Sequence, residues 1–142
     1  MPAEIPFPAL RSDRQPLVLV VEDHADSREM YVHFLAMSGF RTAEAVNGQE
    51  AIQLAVDLRP ELIVTDLSLP GLDGCEVIGR LKADAATRDI PIIALTAHAD
   101  PASALRARQA GCSAFLAKPC LPDALVAEIN RVLSPGHPAR PS

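Results

Sequence analysis

Four short runs of apolar residues end in polar ones, and they divide the chain into repeating units. VLVVED closes on Glu22 and Asp23, LIVTD on Asp66, IPIIALT on Thr96, and SAFLAKP on Lys118 followed by Pro119. These runs are continuously apolar rather than alternating, as strands of a parallel sheet covered on both faces are. The pattern predicts strands over 17–22, 40–45, 62–66, 91–96 and 114–117. Between them, helical periodicity predicts helices over 26–38, 48–58, 74–83, 101–110 and 122–133.

Local signals set the helix limits. Met30, Phe34 and Met37 recur at three- and four-residue steps and predict the buried stripe of the first helix, with Gly39 where a left-handed cap belongs. The second helix follows the turn pair Asn47-Gly48, turns Ile52, Ala55 and Val56 inward, and stops before Pro60. Pro101 and Pro122 fall where a first helical turn tolerates proline. Leu125, Val126, Ile129 and Val132 form the stripe of the last helix, with Arg131 outward. Strands alternating with helices imply right-handed crossovers and a doubly wound, five-stranded α/β sandwich. Ligands of such sheets bind beyond the carboxyl ends of the strands. Three carboxylates, a hydroxyl and an ammonium are therefore expected in one pocket, a setting for a hard divalent cation and a phosphoryl group carried on aspartate.

Composition narrows the setting. At 142 residues the chain is one domain by length, and its 49% hydrophobic content suffices for a core, built from aliphatic residues because only four Phe, one Tyr and no Trp are available. A net charge of −5 argues against direct nucleic-acid binding, which needs a basic patch. No apolar run approaches the ~18 residues of a membrane span, and the first residues lack the basic start and apolar core of a signal peptide. The reading is a cytoplasmic protein with no membrane contact. Cys75, Cys112 and Cys120 form no CxxC pair and read as reduced, partly buried thiols. Residues 1–16 hold four of the thirteen prolines and read as a flexible lead-in, 17–133 as the folded domain and 134–142 as a flexible tail.

With these elements in register, VVEDH at 20–24, TDLSLPGLDG at 65–74, ALTAH at 94–98 and FLAKP at 115–119, the chain resembles the receiver domain of bacterial two-component response regulators. The resemblance runs from about Leu17 to Leu133. It implies a flavodoxin-like fold with strand order 2-1-3-4-5 and Asp66 as the phosphoacceptor. Glu22 and Asp23 match the acidic pair, Asp23 binding Mg²⁺ directly and Glu22 through water, with the Ser68 carbonyl completing the ligands and Mn²⁺ as an alternative ion. The chemistry agrees. An aspartate beside two other acids needs a cation to relieve repulsion, and oxygen-only ligation suits Mg²⁺. Lys118 matches the lysine that pairs with phosphoryl oxygen when modified and with carboxylates when free. Pro119 is cis in the family, which the sequence cannot show. Thr96 is expected to bond the phosphoryl group, and Phe115 to be the switch aromatic whose ring follows Thr96. Ser68 and His98, each two residues past a key position, sit where relatives tune the lifetime of the acyl phosphate. His24 reads as a surface residue at the start of a helix rather than a ligand, and His33 and His137 as surface residues.

The implied partners are a histidine kinase or histidine phosphotransfer protein as donor and an unnamed downstream protein. Cys120 stands where transcription-factor relatives often carry an apolar aromatic, and GCSAF lacks their acidic pair, so a monomer is expected. Nine residues after the last helix are too few for an output domain, and the natural-looking start at Met1 and the proline-rich tails favour a stand-alone receiver. A receiver segment of a hybrid kinase or larger regulator is the alternative. An aspartyl-phosphate phosphohydrolase fits less well, because Asp66-Leu67-Ser68 lacks the second acid of its DxD motif. A degenerate scaffold would lack an acceptor, acid or lysine, and all are present. The expected catalysis is limited to the protein's own phosphorylation and dephosphorylation.

Overall fold

Strands with Val, Ile and Leu on both faces have no side fit for water, so they form the middle layer and helices cover them. The computed structural model describes residues 15–97 and 100–134. Its elements run β1 Leu17–Val21, α1 Ala25–Met37, β2 Arg41–Ala45, α2 Gly48–Leu58, β3 Leu62–Asp66, α3 Gly74–Ala83, β4 Ile92–Thr96, α4 Pro101–Ala110, β5 Ala114–Ala117 and α5 Pro122–Leu133. The sheet is parallel throughout, in the order β2-β1-β3-β4-β5. All ten elements lie within one residue of the predicted limits at either end: six coincide, α1 is displaced by one residue, and β1, β2 and β4 are each one residue shorter. The expected lead-in and tail lie outside the described residues except at 15–16 and 134; the Gln15 and Pro16 carbonyls accept bonds from Arg41 on β2.

Strand alternation sorts the core into two halves. Leu19, Val21, Ile63, Ile92 and Ala94 pack with Ala51, Ala55, Val77, Ile78 and Ala107 under α2, α3 and α4. Val18, Val20, Val64, Ile93 and Leu95 pack with Tyr31, Leu35, Leu125 and Ile129 under α1 and α5. Here one expectation fails. The stripe of α1 is Tyr31 and Leu35, not the methionines: Met30 is 44% and Met37 73% exposed. The helix rotates because the Tyr31 ring fills the space beside β1, and its hydroxyl donates to the Cys120 carbonyl at 3.3 Å. Burying an aromatic whose polar end is satisfied outweighs burying two methionines.

The loops at the carboxyl end of the sheet are held by side chains at helix starts. Asn47 Oδ1 accepts from the Glu50 amide at 2.8 Å, Asp73 Oδ1 from Cys75 and Glu76 at 2.7 and 3.1 Å, and Asp100 Oδ1 from Ser103 at 2.7 Å. Each such cap contributes about 1 kcal/mol. Gly39 ends α1 at φ 98°, the left-handed conformation expected of it. Gly74 has a different reason. A Cβ there would stand 2.4 Å from Leu67 Cα and 2.7 Å from the Asp66 carbonyl, so α3 meets the end of β3 closely only because this residue has no side chain.

Gly74→Ala is expected to destabilise the protein by about 1–3 kcal/mol through overpacking. Gly79→Ala, in the same helix with nothing within 4 Å of its Cβ, is expected to stabilise by up to ~1 kcal/mol. Urea denaturation of the two variants checks this, and the same sign for both would refute the close-approach argument.

Candidate functional site

Three strand ends meet through Lys118. Glu22 follows β1, Asp66 ends β3, and Lys118 follows β5. The Lys118 ammonium donates to Glu22 Oε1 at 2.9 Å and to Asp66 Oδ2 at 2.8 Å. Both acids are almost fully enclosed, their side chains 2% and 4% exposed, against 19% for Lys118. Carboxylates buried to this degree require a charged partner. Desolvation acts to lower the Lys118 pKa, but the hydrogen bonds to Asp66 and Glu22 and their negative charges outweigh it and push the value up to about 12. Lys118 therefore carries its charge across the whole physiological range.

The other oxygens of the two acids are also engaged. Asp66 Oδ1 accepts the Ser68 amide at 2.9 Å, and Glu22 Oε2 accepts the His24 amide at 3.1 Å. Asp23 differs: its Oδ1 is buried and has no hydrogen-bond partner. The His24 ring, read from sequence as plain surface, is largely exposed, yet its Nδ1 lies 3.2 Å from Glu22 Oε2 and 3.5 Å from Asp23 Oδ1. Arg28 is a second residue the pattern did not single out. From α1 it donates to the Glu22 carbonyl and to Glu44 Oε1 on β2, both at 3.0 Å, and so ties the β1–α1 turn to the sheet. A basic residue at the fourth position of a helix carries no sequence signal that it will bend back to a backbone carbonyl.

Thr96 is buried at the end of β4, and its carbonyl accepts the Lys118 amide at 2.7 Å, linking the last two strand ends directly. The following Lys118–Pro119 bond is cis. Phe115 pairs with Ala94 in the sheet and packs, half-buried, against the core half under α2–α4. Ser68 is exposed on the β3–α3 loop. A cleft of about 140 Å³ opens beside it, lined by Ser68, Thr96, Cys75 and Arg106 among others. His98 lies outside the described residues. The three thiols are free, and burial raises the pKa of each, in keeping with inert cysteines.

Residues 18–130 match the family model of the response regulator receiver domain. The chain belongs to that family. Among similar proteins is the phosphate regulon transcriptional regulatory protein PhoB of Pseudomonas aeruginosa, 41% identical over 116 residues that cover 82% of this chain and 51% of PhoB. The chain thus spans about half the length of that relative. The polar-differentiation response regulator DivK of Brucella anthropi is 41% identical over 102 residues, covering 72% of this chain and 83% of DivK. Chemotaxis protein CheY4 of Vibrio cholerae superposes with a TM-score of 0.80 at 28% identity, over 84% of this receiver and 99% of CheY4. The receiver domain of a Pseudomonas aeruginosa sensor histidine kinase, solved with a magnesium ion in its active-site cleft, superposes at 0.77 and 32% identity, over 82% and 96% of the two chains. This receiver domain is accordingly a component of two-component signalling, on the sheet order expected of it.

The raised Lys118 pKa has a testable cause. Its stabilising contribution is complete below the unfolded lysine pKa of about 10.4 and is lost as pH rises through the folded value of about 12. Asp66→Asn removes the nearer partner, so the Lys118 midpoint is expected to fall toward the ordinary lysine value. NMR titration of the lysine side chains checks this, and an unchanged midpoint would show that Asp66 is not the cause.

Proposed function

We propose that this receiver accepts a phosphoryl group on Asp66 from the phosphohistidine of a histidine kinase or phosphotransfer protein, and that the acyl phosphate alters which downstream protein it binds. The supporting observation is Lys118 held between Glu22 and Asp66, a fixed positive charge beside a buried carboxylate at the carboxyl end of the sheet. In the transfer an Asp66 oxygen bonds to phosphorus as the phosphorus–nitrogen bond breaks, and the imidazole leaves as a neutral base after protonation. Little covalent assistance is needed, because phosphoryl transfer depends on positioning and on neutralising spread-out negative charge.

A divalent cation fits the acidic pair. The buried Asp23 Oδ1 makes no hydrogen bond, and Glu22 and Asp66 add hard oxygens nearby. Asp23, Glu22, Asp66 and the Ser68 carbonyl would hold Mg²⁺, which would neutralise the incoming phosphoryl oxygens. Lys118 holds one phosphoryl oxygen after transfer, the Thr96 hydroxyl another, and Phe115 takes the space Thr96 vacates. Ser68 on the β3–α3 loop, and His98 two residues past Thr96 in the sequence, tune the lifetime of the acyl phosphate. The chain's catalysis stops at its own modification, in the cytoplasm, and the chemistry is the same on a free-standing regulator or within a larger protein.

Incubation with Mg²⁺ and a small acyl phosphate is expected to add one phosphoryl group, labile to hydroxylamine, which mass spectrometry locates at Asp66. Labelling that persists in Asp66→Asn would reject the site. At tenfold excess over its dissociation constant, Mg²⁺ is expected to stabilise the fold by about 1.4 kcal/mol, and Asp23→Asn to lose most of that gain. Thr96→Ala is expected to accept phosphate without the wild-type NMR shifts in α4 and β5; full shifts would mean the signal leaves Asp66 by another route.

A further inference from the structure

We infer that Tyr31 is a positioning residue for Lys118, its hydroxyl fixing the turn after β5 so that the ammonium stands between Glu22 and Asp66. This deepens the reading above and rests on Lys118 serving the phosphoryl group of Asp66. Lys118 reaches its two acids from a main chain that is leaving the sheet. Upstream, its own amide donates to the Thr96 carbonyl at 2.7 Å. Downstream, Pro119 has no amide hydrogen to give, and Leu121 at the start of α5 makes no side-chain cap. The Cys120 thiol lies 3.6 Å from the Leu121 carbonyl, a contact internal to the turn. A bond from another element reaches the turn here: the Tyr31 hydroxyl donates to the Cys120 carbonyl at 3.3 Å.

Burial makes that bond matter. Tyr31 is 3% and Cys120 8% exposed, so water is a poor substitute for either partner. Both belong to the apolar layer under α1 and α5, but apolar packing is non-directional and does not by itself orient a main chain. Burial holds the Tyr31 pKa above its ordinary value, with Cys120 adding, Lys118 opposing, and Glu22 and Asp66 adding further. The hydroxyl therefore remains a donor at physiological pH, and the ring is near enough to sense the charges of the pocket.

One face of α1 serves both sides of the ion pair. Arg28, three residues before Tyr31, donates to the Glu22 carbonyl at 3.0 Å. Residues three apart on a helix are neighbours on its surface. The helix thus holds Glu22 through Arg28 and the turn of Lys118 through Tyr31. Without the Tyr31 hydroxyl the Cys120 carbonyl must turn toward another donor, and that rotation falls two residues from Lys118. A displacement of about 1 Å at a reacting group can slow a reaction by ~100-fold.

The test uses the full chain as wild type, Tyr31→Phe, Lys118→Met and the double variant. Each is labelled by a small acyl phosphate at saturating Mg²⁺, at a temperature where circular dichroism shows it folded. Tyr31→Phe keeps the ring and is expected to lower the labelling rate by about tenfold or more. With Lys118→Met already present there is no ammonium left to place, and Tyr31→Phe is expected to change the rate by less than about twofold. Equal slowing with and without Lys118 would overturn the inference, because a general loosening of the fold acts on both backgrounds alike. Two NMR signals decide the matter apart from labelling. The chain has one tyrosine, so a slowly exchanging phenolic proton belongs to Tyr31, and its absence in wild type would reject the bond. The Lys118 ammonium protons are expected to exchange with water about tenfold faster in Tyr31→Phe; unchanged exchange would reject the positioning role. If wild type takes no label while the ammonium still depends on Tyr31, the positioning role stands and the phosphoacceptor reading fails.

Discussion

The ammonium of Lys118, shared between Glu22 and Asp66, is the interaction on which the pocket depends. It ties the ends of the neighbouring strands β1 and β3 to the end of β5, which β4 separates from them in the sheet. Stability alone does not explain it. Desolvating an ion costs several kcal/mol, and a buried ion pair replaced by apolar residues of similar volume is often no less stable. What the pair supplies is a charged pocket in a nearly dry setting, where one added or neutralised charge has a large effect. The cost is borne by the aliphatic layers on both faces of the sheet.

Around that interaction, short polar links from the loops place the remaining parts. Arg28 fastens the β1–α1 turn through the Glu22 carbonyl, and the Ser68 amide orients Asp66 from the following loop. The main-chain bond from Lys118 to the Thr96 carbonyl links these two strand ends directly. Gly74 lets α3 approach β3 closely enough to hold the loop between them. Under the proposed function a phosphoryl group on Asp66 would compete for Lys118 and draw on Thr96, and the links that build this pocket would be the ones rearranged.

Likeness to other receivers has a physical limit. Proteins as different in name as a transcriptional regulator, a polar-differentiation regulator and a histidine kinase receiver share this sheet and overlap this chain over most of the domain. Around the strand ends of this chain stand the imidazole of His24, the small Ser68, and the thiol of Cys120 after the cis proline.

Much of this was readable along the chain because both main signals are local. Continuous apolar runs mark strands buried on both sides, and their polar last residues must lie at one end of a parallel sheet, so Glu22, Asp23, Asp66, Thr96 and Lys118 could be grouped before any coordinates. The face of α1 could not, because Met30, Phe34 and Met37 have the right spacing, and only the space beside β1 and the Cys120 carbonyl select Tyr31 and Leu35. Nor could the partners inside the pocket, beyond the expectation that Lys118 meets carboxylates. Whether Lys118 meets Glu22, 96 residues away, or where the His24 ring turns, depends on strand order and loop path rather than on neighbouring residues. Periodicity determines which side chains face a layer; tertiary packing alone decides which of them touch.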